Sequence, residues 1–96
     1  MILHTLSATP YSVAFSECLA IAKPGDAILL LGDGVYGARP GERVAAALTA
    51  CGADIHVLET DAQAAGIETL PEEMQIEDMD GFVALTERFA RQMAWY

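Results

Sequence analysis

Ninety-six residues set the size of a single domain, and 53% of them are apolar against only 20% charged. Fourteen acids against five bases leave a net charge of −9, which excludes a direct grip on nucleic acid or on an anionic membrane surface. No apolar run approaches the roughly 20 residues that cross a bilayer, and no basic stretch precedes an apolar one at Met1-Ile-Leu-His4, so a soluble cytoplasmic protein is expected.

The first strand is expected at Met1 to Leu6, closed by Pro10. Ser12 can cap a helix whose apolar stripe is Tyr11, Ala14, Phe15, Cys18, Ile21 and Ala22. Pro24-Gly25 ends that helix. The run Ile28 to Leu31 does not alternate, so both faces of its strand must be covered, as in the middle of a parallel sheet. It stops at Gly32-Asp-Gly-Val-Tyr-Gly37, a turn that belongs at the carboxyl edge of the sheet, where open α/β folds gather their functional groups.

A second helix is expected from Pro40-Gly41-Glu42 to about Cys51, and its small residues Val44-Ala-Ala-Ala-Leu48 let it lie close on a sheet. A third strand at Asp54 to Leu58 and a short helix at Asp61 to Ala65 follow. Met74-Gln-Ile76 is the best candidate for a fourth strand. Met79, Phe82, Val83, Leu85, Thr86, Phe89 and Met93 describe the apolar face of a last helix, after which the chain reads to Trp95 and Tyr96. Strands alternating with helices predict an α/β fold over residues 1–96: one domain, a parallel sheet of four to five strands, and helices on both faces. The apolar excess in so short a chain implies surface reserved for another subunit.

Chemistry has few footholds. Cys18 lies mid-helix on the apolar stripe beside Glu17, with Lys23 the nearest base, which suits a buried thiol better than a reactive one. Cys51 sits at a helix end where the dipole disfavours a thiolate, and it is read as structural. The glycine turn lacks the pattern and the Lys-Ser/Thr of a phosphate loop, so Asp33 is expected to cap or brace the turn. Tyr36 and Arg39 suit a partner interface. Trp95 and Tyr96 must either fold back on their own sheet or dock on a neighbouring subunit. His4 and His56 fall in strands with no ligand spacing between them, so satisfied structural histidines are expected, and neither a metal nor a cofactor site is assembled.

Three segments together resemble the TusB/DsrH family: Ile2-Leu-His-Thr5 followed by Pro10, Leu30-Leu-Gly-Asp-Gly-Val-Tyr36, and Asp80-Gly-Phe-Val-Ala-Leu-Thr86 with Gln92-Met-Ala-Trp95. The resemblance implies a DsrEFH-like fold and a small subunit of a sulfur-relay complex, a heterohexamer built with TusC/DsrF-like and TusD/DsrE-like subunits. It implies that the principal persulfide cysteine lies on the TusD/DsrE-type subunit, which hands sulfur to a TusE/DsrC-like acceptor. The Tus branch serves 2-thiolation of the tRNA wobble uridine, and the Dsr branch serves sulfur oxidation. Cys18 matches in placement a cysteine of DsrH-type members, which makes it the candidate persulfide carrier if this subunit carries sulfur at all. The expected role is accessory rather than catalytic, and the isolated chain should self-associate or require its partners. Two rivals stand beside this reading. One is a stand-alone domain binding a small ligand at the Asp33–Tyr36 edge, and the other is an autonomous persulfide enzyme with a thiol of lowered pKa.

Overall fold

A computed structural model describes residues 1–96. Five strands form one parallel sheet in the order β4-β3-β2-β1-β5, where β1 is Ile2–Leu6, β2 Ala27–Leu30, β3 Asp54–Leu58, β4 Met74–Glu77 and β5 Arg91–Trp95. All four residues of β2 are buried, as its unbroken apolar run predicts, and the strand lies at the centre of the order. Its ladder aligns Leu6, Leu30 and Val57 in one row and His4, Ile28 and Ile55 in another.

The two faces are covered unequally. Helices α1 (Val13–Ile21), α2 (Arg43–Ala50) and α3 (Glu59–Ala64) bury Phe15, Cys18, Leu48 and Ala62 against one face in the larger core cluster. Helix α4 (Met79–Arg88) covers the other face by itself, closing Leu85 and Phe89 over Leu3, Ala27, Leu29 and Leu58. Capping explains where these helices begin. The Ser12 Oγ accepts from the Phe15 amide at 3.2 Å, and the Asp78 carboxylate accepts from the Gly81 amide at 2.8 Å.

Two expectations are corrected. The glycine turn is a seven-residue 3₁₀ helix, Gly32–Ala38, packed down on the sheet edge. It can lie there because Gly34 has no side chain: a Cβ at that position would run into the Leu6 carbonyl. At Gly37 an added Cβ would sit 2.9 Å from the Phe15 ring.

The last helix stops at Arg88 rather than continuing through Met93, and residues 91–95 add a fifth strand beside β1. Met93 is four residues after Phe89, which suits a helix, and two residues from Arg91 and Trp95, which suits a strand. Both periods meet at that residue, and the open edge of β1 decides between them. Every residue from Arg91 to Trp95 is in register with one from Ile2 to Leu6, so backbone groups on that edge of β1 are paired. The tail thus folds back on its own sheet.

Candidate functional site

The carboxyl edge of the sheet carries the residues singled out for a partner. Asp33 and Tyr36 project from the 3₁₀ helix into solvent, and the Arg39 guanidinium lies 5.5 Å from the centre of the Tyr36 ring. Arg39 also reaches Glu42 at 4.0 Å, an exposed pair of small energetic weight. The turn is braced by Asp61 rather than by Asp33: the Gly32 amide donates to Asp61 Oδ2 at 2.7 Å. Gly32, Asp33, Tyr36 and Asp61 line a shallow hollow of about 210 Å³. Two carboxylates in such a hollow repel a phosphate.

Trp95 and Tyr96 reach the same edge from β5, with β1 standing between them and the 3₁₀ helix. Tyr96 is 89% exposed. Trp95 is half-buried against the larger core, and its carbonyl accepts from the Ser7 amide at 3.0 Å.

Behind Trp95 lies a buried polar chain that no sequence pattern announces. The Trp95 indole N–H donates to His4 Nδ1 at 3.1 Å, and His4 Nε2 lies 3.0 Å from Asp26 Oδ2. A donor at Nδ1 leaves the ring proton on Nε2, so His4 is a neutral imidazole that donates to the Asp26 carboxylate. Asp26 also accepts from the Ile2 amide at 2.9 Å and the Lys23 amide at 3.3 Å. Burial pushes its carboxyl upward, but the bonds from His4, Ile2 and Lys23 outweigh that and hold it below the usual range. Both His4 nitrogens are occupied and no nucleophile adjoins them, so the chain is a strut that ties β5, β1 and the turn before β2 together. Trp95→Phe keeps a ring in place but strands His4 Nδ1, and is expected to lower stability by about 1 kcal/mol. Trp95→Ala should cost about 3 kcal/mol or more. Urea midpoints will rank the two, and a Trp95→Phe chain with an unchanged midpoint would remove the hydrogen bond from the strut.

His56 is buried beneath α4 with Nδ1 at 2.6 Å from Glu77, while its Nε2 has no partner. The sequence offered no signal for this pairing, since the two residues are joined only by the β3–β4 ladder.

Cys18 is fully buried in α1, among the apolar residues of the larger core. Burial, with a smaller contribution from Cys51, pushes its thiol up to about 12. Cys51 is half-buried, and neither cysteine is in a disulfide. The structure therefore does not bring Cys18 together with Asp33, Tyr36, Arg39, Trp95 or Tyr96 at the exposed edge.

Comparison with known proteins adds to this geometry. A family model described as DsrH like protein matches residues 8–92. Protein TusB of Sodalis glossinidius is 42% identical over 94 residues, covering 97% of this chain and 99% of that protein. Protein TusB of Pectobacterium parmentieri is 36% identical and that of Photorhabdus laumondii 33% identical, over the same shares of the chains. Among solved structures, the crystal structure of the ychN protein from E. coli superposes with a TM-score of 0.76 over 98% of this chain and 97% of that one. At 17% identity that likeness speaks for the fold alone.

Proposed function

This chain belongs to the DsrH-like family, and on that ground we propose that it is a TusB-like accessory subunit of a sulfur-relay complex. The single observation that carries this reading is the end-to-end match to relatives named TusB, with 97% of the chain aligned. Its partners on this reading are TusC/DsrF-like and TusD/DsrE-like subunits in a heterohexamer, with a TusE/DsrC-like acceptor served by the assembled complex in the cytoplasm. The sulfur ends in 2-thiolation of the tRNA wobble uridine, and relatives named TusB favour this branch over sulfur oxidation of the DsrH kind.

The chain's own chemistry supports an accessory role. A persulfide carrier must present a thiolate, and the Cys18 thiol is fully buried with its pKa raised to about 12. An acidic surface of net charge −9 leaves the tRNA to be held by another protein. The interface is Tyr36 with Arg39, and Trp95 with the exposed Tyr96, beside Asp33 at the carboxyl edge.

Two measurements on the coexpressed complex test this. The chain is expected to co-elute with both partner subunits on size exclusion, and Tyr36→Ala combined with Tyr96→Ala should weaken that association by about tenfold or more. Elution as a free monomer in the presence of both partners would overturn the subunit role. Iodoacetamide at neutral pH should leave Cys18 unmodified in the native complex, read by mass spectrometry of its peptide. Ready labelling of Cys18 would reassign it as a sulfur carrier.

A further inference from the structure

The second half of the chain has a charge pattern that the carboxyl edge does not explain. From Val44 to Glu87 there is no Lys or Arg, and that stretch holds ten of the fourteen acids. It also holds the largest cavity in the molecule, an open groove of about 600 Å³ between α3 and the edge strand β4. Ala62, Ile67, Leu70 and Ile76 supply its apolar lining, and Glu59 and Glu68 stand among its polar groups. Ile76 is 48% exposed there, on a strand with no neighbour beyond it.

The backbone of β4 has bonds to spare. Outside its ladder with β3, its one backbone bond is the turn bond from the Met74 amide to the Pro71 carbonyl at 3.0 Å. An unpaired strand edge beside an apolar groove is the geometry that accepts an added strand. Side chains of β4 alternate across the sheet: Ile76 lines the groove, while Glu77 meets His56 on the opposite face. A strand laid along β4 would alternate in the same way.

From these observations we propose that the β4 edge docks an extended segment of another protein, in which apolar residues alternate with Lys or Arg. Its apolar side chains enter the groove beside Ile76 and Leu70. Its cations lie on the opposite face and meet Glu77, while Glu59 and Glu68 at the groove add a negative field that favours a basic segment. A second copy of this chain does not fit that description. Two β4 edges brought together would place Glu73 and Glu77 against like charges, with no Lys or Arg in either strand to offset them. This docking is independent of the sulfur-relay reading, since it uses a different edge of the sheet and is measured on the full chain alone.

The test is a titration of the ¹⁵N-labelled full chain with a blocked heptapeptide alternating Lys and Val, and with its counterpart alternating Glu and Val. The cationic peptide is expected to shift the amides of Ile67, Gln75, Ile76 and Glu77 saturably, and to bind more weakly as salt is raised. Ile76→Lys should lower affinity by about tenfold or more, while Val83→Lys, on the outer face of α4, should leave it unchanged. Unmoved β4 amides, equal binding by the Glu peptide, or equal losses in the two variants would each overturn the proposal. So would β4 shifts that depend on protein concentration without peptide, which would give the edge to a second copy.

Discussion

Gly34→Ala is expected to destabilise the fold by about 3–5 kcal/mol, the range reached by few single substitutions. The backbone at Gly34 is not in the left-handed region, so the cost is purely one of space. Its added Cβ would occupy the position of the Leu6 carbonyl oxygen, and that carbonyl already accepts from the Leu31 amide at 3.2 Å. The 3₁₀ helix would have to lift from β1, breaking that bond and uncovering Val35, which is 1% exposed. A domain of this size commonly has only about 5–15 kcal/mol of stability to lose. Gly41→Ala is the control: nothing lies within 4 Å of a Cβ there, so only its left-handed backbone matters, at about 1 kcal/mol. Urea unfolding followed by circular dichroism will compare them, and a Gly34→Ala midpoint no lower than that of Gly41→Ala would refute the close approach.

The second large effect is expected from Asp26→Asn, at about 3 kcal/mol or more despite its nearly identical shape. The carboxylate accepts from His4, Ile2 and Lys23, so every neighbour points a donor at it. Whichever way an amide is turned, its NH₂ faces a donor. If that NH₂ faces His4, the imidazole must move its proton to Nδ1, where the Trp95 indole N–H already points. The buried carboxylate also gives the fold a pH dependence. Because the native Asp26 pKa is lowered, its contribution is fully present above the ordinary value of 3.8 and disappears as pH falls through the lower native value. The wild-type urea midpoint should therefore fall on acidification through that window. The Asp26→Asn midpoint should fall less steeply, and parallel curves for the two proteins would exclude Asp26 as the titrating group.

Much of the candidate edge was legible in the sequence. Asp33, Tyr36 and Arg39 follow a buried strand in sequence, so they had to lie at the sheet's carboxyl edge, and Tyr36 and Arg39 stack there. The brace of that turn was not legible, because Asp61 is 29 residues from the Gly32 amide it holds. His4, Asp26 and Trp95 were beyond sequence reasoning for the same cause, since Trp95 stands 91 positions from His4 and His4 22 from Asp26. The fate of the tail turned on Met93, a residue that satisfies a helical and a strand period at once.

Local order in this protein is a property of its sequence alone. Unbroken apolar runs, a serine or aspartate ahead of a helix and glycines behind one act over a few residues, and they suffice for β2, α1 and the start of α4. The acidic balance and the family likeness are likewise readable from the string of residues. Strand order, the closing of the sheet by Arg91–Trp95 and the buried His4–Asp26 contact were decided only in three dimensions. Those features depend on which distant backbone and side-chain groups can satisfy one another once water is excluded, and no local pattern encodes that choice.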